Sequence, residues 1–205
     1  MKHYVLTFPA MAGLALVAAQ PTMAQSTMAQ STMAQQAPAA LRTVAVYAPI
    51  TLAEVETAQK AWGDALVAIS TEYDNKGKAA ATRVAEQVLD TAYGYAMGPV
   101  LFKPTLAAPP TTFRTTREGA LSYFVGGNPN YPSDSGFALK HWRSYKIDNA
   151  GILITGNSAI SMGNVTLTDS KGNVTVVDKT WGYVRDGEGK LRIVLHHSSL
   201  PFAAK

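Results

Sequence analysis

Beyond the N-terminal segment three histidines remain, His141, His196 and His197, and the chain has no cysteine. These residues limit metal chemistry, because a catalytic zinc takes three protein ligands and leaves a fourth position open. Adjacent side chains of a strand point to opposite faces, so His196 and His197 cannot both bind one ion unless a bulge breaks the strand. Alternation also places Val194, His196 and Ser198 on one face and Leu195, His197 and Ser199 on the other, with Pro201 ending the run. A face that passes from an apolar residue to an imidazole and a hydroxyl fits either a pocket wall or a core histidine beside strand-end hydrogen bonders. There is no Gly-x-Ser-x-Gly elbow, no glycine-rich phosphate loop and no His-Glu-x-x-His motif. The loop Gly126–Pro132 carries no basic residue to hold a phosphate. Asp and Glu fall mainly in turns and helix caps. The formal charge is +4 and the basic residues are scattered singly, so nucleic acid is not an expected partner.

The elements that must position these groups are legible from periodicity. Thr51-Leu52-Ala53-Glu54 has capping-box spacing. Leu52, Val55, Ala58, Trp62, Leu66 and Ile69 then recur at steps of three and four, which predicts a helix over about 51–71. A second helix opens at Lys76-Gly77-Lys78 with a stripe of Val84, Val88, Leu89 and Tyr93, and stops at Gly94, Gly98 and Pro99. Thr115-Thr116-Arg117-Glu118 announces a third, shorter helix that ends at Gly126-Gly127. Four runs rich in β-branched and aromatic residues follow, over 137–147, 152–161 (extendable to 168), 174–185 and 190–198. The turn sequences between them, Asp148–Gly151, Asp169–Asn173 and Asp186–Gly189, are short enough to demand antiparallel neighbours. Helices first and a strand meander after is an α+β order.

The N-terminus has a different character. Lys2 and His3 precede an apolar run from Tyr4 to Ala19, interrupted by Pro9 and Gly13, with small-residue patterns at Val17-Ala18-Ala19 and Thr22-Met23-Ala24. This predicts a secretory signal peptide over 1–24, and hence a periplasmic or secreted protein with no membrane association after cleavage. From Pro21 the chain repeats Pro-Thr-Met-Ala-Gln and then Ser-Thr-Met-Ala-Gln twice. A segment this poor in bulky apolar residues reads as a flexible, low-complexity leader over 25–48.

Five stretches in order carry a resemblance: Met97–Thr105, Phe113–Gly127, Ser161–Val165, Asp178–Gly182 and Leu191–Pro201, the last containing His-His-Ser-Ser. Together they resemble the iota-class carbonic anhydrases. These are similar in fold to the association domain of calcium/calmodulin-dependent kinase II and to the polyketide cyclase and ketosteroid isomerase cone folds. The resemblance runs from about Leu52 to Pro201. It implies a cystatin-like cone roll over 49–205, with N-terminal helices packed on a curved, mostly antiparallel sheet that encloses a pocket. It implies reversible hydration of carbon dioxide to bicarbonate and a proton. It carries a catalytic role to Thr105, Tyr123 and Ser198, and a substrate-side place in the same pocket wall to His196. Some relatives are metal-free and others metal-dependent, so no cofactor is expected, with zinc or manganese as the alternative. A homodimer through the sheet follows by analogy. The rival readings are a cone-fold isomerase or cyclase, which needs a pocket carboxylate as base, and a non-catalytic oligomerisation or ligand-binding module.

Overall fold

The computed structural model describes residues 48–203, so the expected signal peptide and the leader up to Tyr47 lie outside the described residues. The first helix, α1 (Leu52–Lys76), starts as its sequence dictates. Thr51 Oγ1 accepts from Glu54 N, and the Glu54 carboxylate accepts from Thr51 N at 2.8 Å. It continues past Thr71 to Gly77, whose φ of 79° the helix cannot follow. Its buried stripe is Val55, Trp62, Leu66 and Ile69. The second helix, α2 (Lys78–Ala92), buries Ala81, Ala85 and Leu89, while Val84 and Val88, expected at the centre of the stripe, flank it half-buried. The third, α3 (Arg117–Val125), is capped one residue later than expected. Thr116, not Thr115, accepts from Gly119 N, and Glu118 instead takes hydrogen bonds from Asn128 and Asn130.

A five-stranded sheet holds β1 (Leu101–Lys103), β2 (Trp142–Thr155), β3 (Ser158–Asp169), β4 (Val174–Arg185) and β5 (Leu191–Ser199) in the order β1-β5-β4-β3-β2. All neighbours are antiparallel except β1, which runs parallel to β5. Two expectations change here. Asp148–Gly151 is no turn but a bulge inside β2, where the register steps from Asn149–Gly163 to Gly151–Met162. The hairpin turns instead at Gly156-Asn157. A bulge reverses which residues face inward, so Tyr145 and Ile147 give way to Ile152 and Ile154 on the half-buried face. Opposite the bulge, Gly163 is required, since a Cβ there would collide with the Asp148 carbonyl. The strand expected from Phe137 begins only at Trp142, after the 3-10 turn Phe137–Leu139.

Helix α1 lies on the inner face of this sheet. Trp62 meets Trp181 of β4 edge-on, ring centroids 5.4 Å apart. Gln59 exchanges two amide hydrogen bonds with Asn149 at the bulge and donates to Ser161 Oγ. At the other end, the segment leading into α3 is anchored by a buried ion pair. Arg114 Nη2 donates to Asp134 Oδ1 at 2.8 Å, and Ser122 Oγ donates to Asp134 Oδ2 at 2.7 Å. Both charged side chains are almost fully buried, and the Arg114 guanidinium lies 4.6 Å over the Tyr131 ring. The pair ties the 126–136 loop to α3 and so sets where Tyr123 points. Removing one partner of a buried pair leaves the other charge uncompensated, at about 3–5 kcal/mol. Arg114→Met is therefore expected to lose that much unfolding free energy in urea titration, and a loss below about 1 kcal/mol would contradict the anchoring role.

Candidate active site

The position of β5 decides which of its side chains can do chemistry. Between Gly182–Leu195 and Tyr183–Ile193 the register skips Val194, so β5 bulges there. Val194 is thereby displaced from the inward face that simple alternation assigned to it. Ile193, His196 and Ser198 face inward and are buried, and His197 is exposed. The bulge ends before His196, so the two histidines still point to opposite faces and cannot share an ion. Among the described residues no group of three or more His, Cys, Asp or Glu could hold a metal.

Three hydroxyls converge from three elements. Thr105, in the turn after β1, places Oγ1 2.6 Å from Ser198 Oγ of β5. Tyr123 of α3 brings its hydroxyl to the same turn, where it accepts from Leu106 N at 3.4 Å. Short parallel pairing of β1 with β5 makes this possible, because Phe102 lies opposite His196 and Lys103 opposite His197. Lys103 Nζ then donates to the Ser198 carbonyl at 3.0 Å, fixing the strand end. Burial pushes the Tyr123 phenol well above its ordinary range, so at neutral pH it is a protonated donor. A cavity of about 20 Å³ lies against Tyr123 and Leu106, with Asp134, Phe137 and Lys140 on its other sides. That is room for a water-sized guest.

His196 stands one layer behind. The Phe102 ring stacks on it, centroids 4.3 Å apart and 14° from parallel, and meets Tyr123 edge-on at 5.7 Å. Both imidazole nitrogens are engaged: Nδ1 is 2.8 Å from the Tyr93 hydroxyl and Nε2 is 2.9 Å from Lys179 Nζ. Tyr93 in turn accepts from Trp62 Nε1 at 3.0 Å. His196 therefore has no uncommitted nitrogen to offer a metal or a substrate. Its pKa is pushed well below the ordinary value by burial first and by Lys179 second. Lys179 is the unexpected member. It is 3% exposed, forms no ion pair among the described residues, and rests over Trp62 at 4.4 Å. A ring face stabilises a desolvated cation by about 2 kcal/mol, against several kcal/mol for stripping a charge of water. Desolvation wins, and the amine is pulled down to about 7.

Sequence reasoning brought Thr105, Tyr123, Ser198 and His196 forward, and the fold sets Thr105 against Ser198 and the Tyr123 hydroxyl against the adjoining Leu106 N. It missed Tyr93, Trp62, Phe102 and Lys179. Trp62 and Tyr93 carried only the signature of core residues. Lys179 did carry a signal, since alternation in β4 aligns it with the buried Val177 and Trp181, which is an inward-facing lysine.

Residues 53–200 match the family model described as metal-independent carbonic anhydrase. A curated protein of that name from Nostoc sp. (strain PCC 7120) is 61% identical over 166 residues, 81% of each chain. The crystal structure of an iota-carbonic anhydrase from a cyanobacterium, complexed with bicarbonate, is 62% identical and superposes with a TM-score of 0.76, covering 80% of this chain and 100% of that one. A putative calcium/calmodulin-dependent protein kinase II association domain from Xanthomonas campestris shares the fold at 24% identity and a TM-score of 0.50, over 78% of this chain and 94% of its own.

Lys179 also sets a pH dependence of stability. Its pKa is about 7 folded and about 10.4 unfolded, so between those values the unfolded chain binds more protons. Stability then rises with pH across that window, by at most about 1.4 kcal/mol per pH unit. Urea unfolding from pH 7 to 9 should show this rise, and Lys179→Met should flatten it. An equal slope in both proteins would contradict the buried-amine assignment.

Proposed function

The chain belongs to the metal-independent carbonic anhydrase family, and from that membership we propose how its own residues hydrate carbon dioxide. The reaction is the reversible conversion of CO2 and water to bicarbonate and a proton, without a metal cofactor. Thr105, Tyr123 and Ser198 hold the attacking water, and the same hydroxyls hold bicarbonate once it forms. Each hydroxyl can donate and accept, so three of them can orient one water with a lone pair toward the CO2 carbon. Tyr123, protonated by virtue of its burial, donates to the CO2 oxygen on which negative charge develops. Donors already aimed at that charge, in a site shielded from water, stabilise it better than solvent can. Phe102 and Phe137, whose rings pack on Tyr123, supply the apolar wall. His196 orients the layer behind that wall.

The observation that carries this reading is the 2.6 Å contact between Thr105 and Ser198, with the Tyr123 hydroxyl on the backbone N–H of the next residue in the same turn, Leu106. The isomerase alternative needs a free carboxylate as base, and the cavity beside Tyr123 offers none. The one buried carboxylate at its wall, Asp134, has both oxygens committed to Arg114 and Ser122. Ser198→Ala and Tyr123→Phe should each lower kcat/KM for CO2 hydration by about 10²–10³-fold, the usual effect of deleting one such donor, while chelator-treated wild type keeps its activity. Full activity in both variants would remove the site, and activity lost to chelator and restored by zinc would overturn the metal-free reading.

Two features of the whole protein belong to the same reading. The signal peptide over 1–24 places the mature enzyme in the periplasm or outside the cell. A homodimer forms through the outward sheet face, where Ile160, Met162, Val174 and Val176 are exposed. An apolar sheet face of this kind is a typical surface for burial against a partner, and a second copy satisfies it symmetrically. Native mass spectrometry of protein from the exported fraction tests both. The expected species is a dimer of chains beginning near residue 25, whereas an intact N-terminus or a monomer would sink the corresponding statement.

A further inference from the structure

Lys179 is a buried amine whose hydrogen-bond partner is an imidazole instead of a carboxylate. It lies inward from β4, with Gly163 of β3 and Ser198 of β5 as its cross-strand neighbours. The groups that face it are few. Trp62 comes from α1 and Trp181 from its own strand, at 4.4 and 5.5 Å. His196 comes from β5 and is its one titratable contact among the described residues, with Tyr93 from the end of α2 behind the ring. Asp178 and His197 stand on the outward side of the same strands.

The directions of the hydrogen bonds decide its protonation state. Trp62 Nε1 can only donate, so the Tyr93 oxygen accepts from it. If the Tyr93 hydroxyl donates to His196 Nδ1, the ring proton sits on Nε2, and Lys179 must accept with a lone pair. Every donor and acceptor from Trp62 to the imidazole is then used, and the amine N–H groups lie over the Trp62 and Trp181 rings. If Lys179 is an ammonium it can only donate, so Nε2 accepts and Nδ1 carries the proton. The Tyr93 oxygen then accepts twice, and its own O–H, in a residue 1% exposed, is left without an acceptor. A buried donor without an acceptor carries its full desolvation penalty. The saturated arrangement is the one with a neutral lysine.

We propose that Lys179 is a positioning residue for CO2 hydration: as a free amine it accepts a hydrogen bond from His196 Nε2–H, and the chain Trp62–Tyr93–His196–Lys179 so directed holds Phe102 and Ser198 in place. The proposal rests on reading Ser198 as one of the site hydroxyls. His196 and Ser198 share the inward face of β5, two residues apart. Lys179 is the register partner of Ser198, and Phe102 is stacked on His196 and meets Tyr123 edge-on. Charging Lys179 reverses the imidazole tautomer and strips Tyr93 of its acceptor, which loosens the layer that carries the site. Because desolvation brings the amine to about 7, this happens as pH falls through neutrality. Activity is lost on the acid side.

Nitrogen-15 NMR of histidine-labelled wild-type protein tests the tautomer directly. At pH 8.5 His196 should carry its proton on Nε2 with Nδ1 bare, and by pH 6 the proton should have moved to Nδ1, with a midpoint shared by the acid limb of kcat. A proton on Nδ1 at pH 8.5, or no change between the two pH values, would overturn the proposal. Lys179→Arg, which stays charged, should show the Nδ1 proton at pH 8.5 and at least tenfold lower kcat. Lys179→Met should have low kcat that is flat from pH 6 to 8.5, and a wild-type acid limb in that variant would also overturn it. Full activity in Ser198→Ala and Tyr123→Phe would remove the hydroxyl site, whereas the wild-type tautomer measurement decides the lysine independently of that outcome.

Discussion

The parity of β5 governs the rest of the molecule. The bulge at Val194 lets Ile193 close the core beside Tyr93 while returning His196 and Ser198 to the inward face. A regular strand carrying Ile193 inward would turn both residues to solvent, because a slip of one residue exchanges the faces. The strand's polar chemistry is thus fixed by one extra residue. The parallel β1, only three residues long, then has a defined target: it brings Phe102 over the His196 ring and the Thr105 hydroxyl to Ser198.

Two polar layers follow, separated by an aromatic one. In front are the hydroxyls of Thr105, Tyr123 and Ser198. Behind are Trp62, Tyr93, His196 and Lys179. Phe102 lies between, parallel to the imidazole and perpendicular to Tyr123. Buried polar groups are costly unless each finds a partner, and in the rear layer Trp62, Tyr93 and His196 find theirs in one another and in Lys179. The aromatic ring keeps the rear groups from competing for the front hydroxyls, so those retain donors and acceptors for a guest.

Much of this was legible in the sequence, for physical reasons that differ by element. The Thr51–Glu54 capping box and the Val55–Ile69 stripe identify α1 because local hydrogen bonding and period alone determine them. The antiparallel meander was legible from its turn residues. Asp148–Gly151 misled because turn-forming residues also suit a bulge, and only the partner strand, through Gly163 at the point of closest approach, distinguishes the two. Strand β1 was not visible as a strand, since three residues carry no period. The inward set of His196 and Ser198 follows from alternation, while the displacement of Val194 depends on the facing Gly182-Tyr183 step. The meeting of Thr105 with Ser198, and of Tyr123 with the turn that holds Thr105, joins three elements, and here the family resemblance supplied what spacing could not. The rear layer escaped notice because Trp62 and Tyr93 look like any core aromatic until Lys179 is seen between them.

The absence of a histidine triad raises the question of what replaces an ion's acidity. Zinc brings bound water from about 15.7 to about 7, a shift on the order of 12 kcal/mol. Hydroxyls cannot acidify water to that degree, and Tyr123, raised by burial, cannot serve as its base at neutral pH. What they can do is lower the energy of charge as it forms. One preorganised donor contributes about 3–4 kcal/mol to a transition state, a part of the ion's effect obtained without acidifying the water first. The two strategies differ in where the proton is handled. A metal removes it before attack, whereas a hydroxyl cluster must release it during or after attack, along hydroxyls that each donate and accept. This places a premium on fixed directions over acidity, and fixed directions are what the anchored Tyr123, the clamped Ser198 and the saturated layer behind them provide.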